Sequence, residues 1–322
     1  MKIRLKYLFS SLFFITITFV ILGFLTAIVV PKTNKKESGF YHASAYAICN
    51  EPENSIDMLF LGTSQVYSTF IPLQIWNQIG ITSYACSTPS QGLYYTEELL
   101  IKALKTQSPE LVVLETDAVF ENFSMNSVLE HKLFNAVPLL RYHSRWKSLT
   151  ADDFSFNYDF SFSHEGKGFV CDFRCEPVRN ENYMIKTDDV KAISEKSIEY
   201  LERIIKICND RDIDILFISA PSALNWDYTH YNAICELSEK YNIEYVDMNM
   251  YIDEIGIDWQ KDSIDAGKHL NFFGAYKATG WFADYISKSG YVFEVKDDET
   301  VSNWDSAVVD YNKTLTEHNA EI

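Results

Sequence analysis

The sequence predicts an α/β fold, namely a three-layer, flavodoxin-like parallel sheet with an aromatic-rich insertion, preceded by one transmembrane helix. Three observations lead to this prediction. Short apolar runs alternate with stretches of helical periodicity, which is typical of a parallel sheet flanked by helices. The N-terminal region contains a long uncharged apolar stretch. A long aromatic segment without clear periodicity interrupts the alternation after the third strand.

The apolar stretch is "LFSSLFFITITFVILGFLTAIVV", residues 8–30. It is long enough to cross the ~30 Å hydrocarbon core of a bilayer at ~1.5 Å per residue. We therefore expect residues 1–36 to form a membrane anchor and linker. A cleavable signal peptide is the alternative, but the stretch exceeds the ~7 to 15 residues of a signal core and no Ala-x-Ala site directly follows it. Three basic residues flank the helix on each side, so charge does not decide the orientation. Because a large domain can be translocated despite modest loop charge, we expect a single-pass cell-membrane protein with an extracytoplasmic domain.

Charge and cysteine content exclude several functions. From Glu37 onward, 22 Lys and Arg face 45 Asp and Glu, a formal charge of −23, so binding of nucleic acid through phosphate neutralisation is not expected. The six cysteines form no CxxC pair or metal-ligand pattern, and we expect no metal and no cofactor. Cys171 and Cys175 lie close enough in sequence for a disulfide in an oxidising compartment, and their redox state is left open.

The alternation of elements defines one α/β domain over residues 37–295, followed by an acidic tail over 296–322. The five predicted strands are Ile56–Leu61, Thr82–Cys86, Leu111–Leu114, Ile213–Ile218 and Tyr245–Asp247. The predicted helices are Leu93–Leu104, Ile193–Cys208, Tyr231–Tyr241 and Phe273–Ile286.

The insertion covers about residues 118–190 and is too long for a plain crossover. It follows the carboxyl end of a strand, where parallel sheets bind ligands, so a lid or specificity element is one interpretation. A packing elaboration that covers a helix face is the other.

A candidate nucleophile lies in "FLGTSQVYSTF", residues 60–70, where Ser64 directly follows the first strand. A serine hydroxyl needs a base within hydrogen-bonding reach. His269 in "DAGKHLNFFGA" precedes the last helix, and Asp265 lies four residues before it. A carboxylate there can accept the imidazole Nδ1–H and stabilise the imidazolium. The Gly-x-Ser-x-Gly elbow of α/β-hydrolases is absent, because Val66 stands at its second glycine.

A Gly-x-Ser after the first strand, with Asp and His-Leu-Asn before the last helix, resembles the SGNH/GDSL hydrolase superfamily. The chain looks most like a membrane-anchored Gram-positive branch, similar to teichoic-acid D-alanyl transfer proteins and alginate-type O-acetylation proteins. The segment "YHSRWKSLTADDF", residues 142–154, also resembles this branch. The resemblance spans about residues 56–285, and its most specific part is His269 to Ala275.

The resemblance implies an SGNH-type serine acyl hydrolase or transferase, with Ser64 as nucleophile, His269 as base and Asp265 as orienting acid. It also implies oxyanion donors from the nucleophile's own N–H and from the loop after the second strand, where the Ser90 backbone and the Gln91 side chain are the candidates.

Three departures from the family pattern affect this site. Ser90 stands where a glycine is usual in the second loop, and Thr116 and Asp117 stand where an Asn is usual after the third strand. Three residues rather than two separate Asp265 from His269, which leaves Asp262 as a rival for the acid.

We therefore expect a membrane-anchored, extracytoplasmic serine esterase or O-acyltransferase that acts on acyl esters, with acetyl favoured, of cell-envelope glycans. The resemblance implies a membrane-bound O-acyltransferase as a donor partner. The alternative is a catalytically silent scaffold that binds a glycan or an assembly partner, which missing oxyanion donors would favour. A nucleotide-binding module is disfavoured, because no G-x-G-x-x-G or P-loop lysine follows a strand.

Overall fold

The computed structural model describes residues 2–317 and contains a five-stranded, wholly parallel sheet. The prediction of a parallel sheet is confirmed, and each predicted strand overlaps an observed one. Spatial order in the sheet is β2-β1-β3-β4-β5, which is the flavodoxin-like order. The strands are β1 Met58–Gly62, β2 Ser83–Ser87, β3 Leu111–Glu115, β4 Asp214–Ser219 and β5 Glu244–Asp247.

Helices supply the other layers of the fold and also form the N-terminal segment and the tail. They are α1 Lys2–Val29, α2 Ala43–Tyr46, α3 Ser64–Thr69, α4 Pro72–Ile79, α5 Leu93–Ala103, α6 Asp117–Phe120, α7 Met125–Ala136, α8 Pro138–Tyr142, α9 Glu195–Asn209, α10 Tyr228–Tyr241, α11 Ile252–Ile255, α12 Phe272–Ser289 and α13 Asp298–Glu317. Short 3₁₀ helices cover Lys36–Ser38, Ala47–Asn50, His143–Ser148, Ala151–Phe154 and Met248–Tyr251.

The two faces of the sheet are covered by different helices. Alternate residues of a strand point to opposite faces, and Phe60 of β1 points to the face covered by α3, α4 and α12. There it stacks on Phe70 with ring centroids 4.5 Å apart and lies 5.5 Å from Phe282 of α12. Helices α5 and α9 pack against each other on the opposite face. All three aromatic rings are fully buried, so this cluster fixes α12, and the loop before it, relative to β1.

The strand order places a crevice at one edge of the sheet. The chain leaves β1 towards β2 on one side, whereas β3 lies on the other side of β1. The connections therefore diverge at the carboxyl ends of β1 and β3, and open α/β sheets bind ligands at such a switch point. Ser64 directly follows β1, and Asp117 follows β3.

The chain forms two compact units: residues 1–43 with 123–162, and residues 44–122 with 163–322. We call the first the N-terminal unit and the second the sheet unit. The insertion is thus divided between them. In the N-terminal unit, residues 7–29 of α1 are long and apolar enough to span a membrane, with a mean hydropathy of 2.7, and a signal sequence has the same properties.

The second part of the insertion, residues 163–190, packs on the sheet unit. Lys167 O accepts the Ala85 N–H of β2 at 2.9 Å, and Phe272 N donates to Asp172 O at 2.8 Å. Glu176 N donates to Ser263 O at 2.8 Å, next to the loop that carries His269. The backbone of residues 163–190 thus supports the histidine loop, and both interpretations of the insertion stay predictions. The tail of the sheet unit folds as α13, whose Trp304 lies 5.6 Å from Trp76.

Candidate active site

The turn after β1 presents Ser64 at the first position of α3. Thr63 is the N-cap residue, and its hydroxyl accepts the Gln65 N–H at 3.3 Å. Gly62 has a φ of +154°, and a Cβ there would lie 2.6 Å from the Glu115 Cβ. The turn therefore requires glycine for both conformation and space. Because Ser64 begins the helix, its N–H has no acceptor within α3.

The loop before α12 presents His269. It is closed by an antiparallel bridge between Ser263 and Leu270, and the Ser263 hydroxyl accepts the Gly267 N–H at 2.7 Å. Asn271 then caps α12 by accepting the Gly274 N–H at 3.1 Å. Its own amide donates to Lys261 O at 2.6 Å, which ties both ends of the loop together.

The two segments meet, although 205 residues separate Ser64 from His269 in the sequence. Ser64 Oγ lies 2.7 Å from His269 Nε2, and His269 Nδ1 lies 2.6 Å from Asp265 Oδ2. Asp265 Oδ1 also accepts the His269 backbone N–H at 2.8 Å. With Asp265 ionised, Nδ1 carries the proton and Nε2 is left as an acceptor for the serine hydroxyl. The structure thus brings together Ser64, His269 and Asp265, the three residues predicted as a triad.

Asp262, the rival for the acid, has other partners. Its Oδ2 accepts from Lys277 Nζ at 2.6 Å and from the Asp258 N–H at 2.7 Å. Its side chain is only 3% exposed. The carboxylate is thus held in an ion pair with α12, and of the two rivals it is Asp265 that contacts His269.

Gln65 connects the serine helix to the histidine loop, a role that the sequence did not reveal. Its Nε2 donates to Lys268 O at 2.7 Å and contacts Ser222 Oγ at 3.2 Å. Ser222 follows β4, and its hydroxyl donates to the same Lys268 carbonyl at 2.9 Å. Gln65 is 1% exposed and Ser222 2% exposed, so these bonds are shielded from water. They hold the residue next to His269 at a fixed position relative to Ser64.

The loop after β2 contains the two predicted oxyanion residues. Ser90 has a φ of +47°, in the left-handed region that favours glycine. Gln91 is buried, and its amide bonds to two threonines: Nε2 donates to Thr96 Oγ1 of α5 and Oε1 accepts from Thr88 Oγ1, both at 3.0 Å. These bonds fix the loop that carries the Ser90 backbone against the start of α5.

Two carboxyl groups, Glu115 and Asp117, lie beside the serine turn. Glu115 Oε2 lies 3.1 Å from Thr63 Oγ1, and Asp117 Oδ2 lies 3.3 Å from the same oxygen. Glu115 Oε1 accepts the Asp117 N–H at 2.8 Å. A threonine hydroxyl has one hydrogen. The hydroxyl can donate fully to only one of the two carboxyl groups, and the second contact is a full hydrogen bond when the other carboxyl group is protonated and donates to the hydroxyl.

Burial favours this protonated state. It raises the pKa of Glu115 well above its usual value, and nearby Asp117 adds to the shift. Burial also raises the pKa of Asp117 to about 6, with a further contribution from Glu121 and an opposing one from His269. Both shifts favour the protonated form, and together with the short contacts at Thr63 they indicate one proton held between the two groups.

Tyr67 is a further residue near Ser64 that the sequence analysis missed. It lies one turn further along α3, its phenol contacts the Ser64 side chain, and burial raises its pKa. Two residues at i and i+3 share a helix face, which is the signal that could have identified it.

Within residues 2–317, no group of three or more His, Cys, Asp or Glu side chains is arranged to hold a metal ion. Cys171 and Cys175 are free, exposed thiols. The chemistry available at the site is thus that of a serine hydroxyl, an imidazole and carboxyl groups.

The sequence matches no protein-family model and no curated protein. Among solved structures, the chain is similar to a proposed acylhydrolase from Bacteroides fragilis, with 13% identity, a TM-score of 0.38, and coverage of 76% of this chain and 95% of that one. It is also similar to a proposed platelet activating factor from Streptococcus pneumonia, with 15% identity, a TM-score of 0.36, and coverage of 75% and 89%. A GDSL-like lipase from Bacteroides thetaiotaomicron gives 12% identity, a TM-score of 0.36, and coverage of 73% and 89%. At these TM-scores the likeness carries no argument about function, which rests on the site itself.

Proposed function

We propose that the protein is an SGNH-type serine acyl esterase or O-acyltransferase, with Ser64 as nucleophile, His269 as general base and Asp265 as the orienting acid. The observation that carries the proposal is the pair of contacts at His269, 2.7 Å from Nε2 to Ser64 and 2.6 Å from Nδ1 to Asp265. This geometry supplies a base for the serine proton and a carboxylate for the resulting imidazolium.

In the proposed reaction, Ser64 Oγ attacks the acyl carbonyl while its proton moves to His269 Nε2. The imidazolium then protonates the departing alcohol, which leaves an acyl group on Ser64. In the second half, His269 removes a proton from water or from a sugar hydroxyl, which attacks the acyl-serine and restores the free serine. The candidate oxyanion donors are the N–H groups of Ser64 and Ser90.

We propose acyl esters of cell-envelope glycans as substrates, with acetyl favoured, and an extracytoplasmic position for the sheet unit. These proposals follow from the sequence resemblance and from the apolar helix at the N-terminus. A membrane-bound O-acyltransferase is the proposed source of acyl groups, and α1 would keep the enzyme in the same membrane.

The experiment compares full-length wild type with Ser64→Ala in detergent, using 4-nitrophenyl acetate with and without an added glycan acceptor. We expect wild type to release nitrophenol and Ser64→Ala to lose at least ~10³-fold in rate. Acetylated glycan in the wild-type reaction would indicate transfer, and its absence would indicate hydrolysis. Equal turnover by both proteins would exclude Ser64 as the nucleophile.

A silent scaffold is a second candidate, favoured by Asp117 and by the internal bonds of Gln91. A carboxylate beside the serine turn repels an oxyanion, and the Gln91 amide already donates to Thr96 Oγ1. A wild-type protein that is folded but has no turnover, and that binds an envelope glycan, would support this candidate.

A further inference from the structure

The N-terminal unit exposes apolar side chains that a protein in water would bury. On α7, Met125, Leu129 and Leu133 recur at intervals of four residues, which places them on one face of the helix. They are 48%, 59% and 49% exposed, while Val128 of the same helix is buried. Trp146, in the 3₁₀ helix that follows α8, is 65% exposed. Large exposed apolar side chains grouped in one unit point to an interaction site.

The position of this unit along α1 indicates what the surface meets. Residues 7–25 of α1 are exposed, apart from half-buried Thr18, whereas Ile28 and Val29 are buried. The exposed part has 19 residues and a length of ~28 Å, which matches the ~30 Å hydrocarbon thickness of a bilayer. The buried part therefore begins where the hydrocarbon would end.

Residues 123–162 of the same unit cover that end of α1. The Arg145 guanidinium donates to Val29 O at 2.5 Å and to Asp153 Oδ1 at 2.7 Å. Lys32 Nζ donates to Ala27 O, one of the last carbonyls of the helix. Cationic groups at a helix C-terminus satisfy free carbonyls and stabilise the helix dipole. Helix α8 and both 3₁₀ helices of this segment also contact α1. These three elements are thus attached to the end of α1 that would lie near the lipid headgroups if α1 spans a bilayer.

The N-terminal unit has a net positive charge and the sheet unit a net negative charge, which suits contact of the N-terminal unit with an anionic membrane. Lys2, Arg4 and Lys6 of the N-terminal unit lie at the other end of α1. Without them the unit has 7 Lys and Arg against 5 Asp and Glu, a net charge of +2. The sheet unit has 18 against 40, a net charge of −22. Anionic lipid attracts basic segments and repels acidic ones.

We propose that residues 123–162 form a second membrane contact, in which Met125, Leu129, Leu133 and Trp146 enter the headgroup region of the leaflet at the C-terminal end of α1. Trp is a residue that prefers this depth, because its ring is apolar and its N–H is polar. Lys147, whose ammonium lies 5.8 Å from the Trp146 ring centre, would reach the lipid phosphates. The inference rests on the proposed membrane anchoring by α1.

The test uses full-length protein in vesicles of phosphatidylcholine and phosphatidylglycerol, with or without brominated acyl chains that quench tryptophan on contact. Trp146 is the tryptophan of the N-terminal unit among six in the chain. We expect brominated lipid to remove about one sixth of the emission from wild type, since one tryptophan in six would contact it. Trp146→Phe should lose this quenching.

Trp281→Phe is the matched control, because Trp281 lies on α12 in the sheet unit. It should retain the wild-type quenching. If Trp146→Phe is quenched as much as wild type, or if wild type is not quenched, the proposal is overturned. If wild type is not quenched, the exposed apolar side chains of residues 123–162 would instead be a site for a protein partner. Resistance of the protein to alkaline extraction from the vesicles tests α1 separately, so failure of the anchor and failure of the second contact can be distinguished.

Discussion

Replacement of Asp265 by Asn inverts the hydrogen bonding that prepares His269 as a base. Both carboxylate oxygens of Asp265 accept, one from the His269 backbone N–H and one from Nδ1. An amide has one acceptor and one donor. If its oxygen keeps the backbone N–H, its NH₂ faces Nδ1, and the imidazole proton moves to Nε2. The side of the ring that faces Ser64 is then no longer a base.

In the other orientation, the amide oxygen accepts from Nδ1 and its NH₂ opposes the backbone N–H. That leaves an unsatisfied donor, which costs ~1–3 kcal/mol, or about 5- to 150-fold in the population of the active form. Loss of the negative charge beside the imidazolium lowers the rate further. We therefore expect kcat/KM of Asp265→Asn to fall about 10²- to 10⁴-fold, which is ~3–5.5 kcal/mol of transition-state stabilisation.

The assay is hydrolysis of 4-nitrophenyl acetate, and Asp262→Asn is the matched control. That substitution removes the ion pair with Lys277 and should reduce the free energy of unfolding by ~1–3 kcal/mol. The kcat/KM of its folded fraction should stay within about threefold of wild type, since Asp262 has no contact with His269. Equal losses of kcat/KM in the two variants, or a larger loss in Asp262→Asn, would refute the assignment of Asp265.

Three further predictions concern the surroundings of the serine. The raised pKa of Asp117 means that its contribution to stability is fully present below its ordinary pKa and is lost as pH rises through about 6. Relative to Asp117→Asn, the unfolding free energy of wild type should thus fall by ~1–3 kcal/mol between pH 4 and pH 8, measured by urea denaturation. Parallel pH profiles of the two proteins would contradict the shared proton. Gly62→Ala should lower the unfolding free energy by at least ~2 kcal/mol in the same assay, because the alanine Cβ would meet the Glu115 side chain. An unchanged urea midpoint would disprove this contact. Asn271→Ala should lower the unfolding free energy by ~1–2 kcal/mol, because it removes the cap of α12. It should also lower kcat more than it raises KM, because it releases the histidine loop, and a change in KM alone would contradict that role.

The sequence predicted the sheet well, because buried parallel strands are short continuous apolar runs bounded by polar residues. Leu111–Leu114 is such a run, and the observed β3 extends it by one residue to Glu115. The helical boundaries were also close, as in α9 and α12, where the apolar periodicity is strong. The division of the insertion between two units was not predicted, because its aromatic residues lack a period that indicates a partner.

At the site, the sequence identified residues by chemical type but not their hydrogen-bond partners. The sequence favoured Asp265 as the acid and left Asp262 as a rival, and in the structure Asp265 Oδ2 lies 2.6 Å from His269 Nδ1 while Asp262 pairs with Lys277. Gln91 was a reasonable donor by type, but its amide bonds to Thr88 and to Thr96 of α5. Gln65 had no sequence signal, because its contacts are with backbone and hydroxyl groups more than 150 residues away.

The central claim is that Ser64 is an activated nucleophile, and covalent labelling tests it most directly. Full-length protein would be treated with a fluorophosphonate, which reacts with base-activated serines, and the adduct would be located by peptide mass spectrometry. We expect one adduct on Ser64, formed at a similar rate in wild type and Asp262→Asn and at least ~10²-fold more slowly in Asp265→Asn. Folded wild-type protein that forms no adduct on Ser64 would contradict the account.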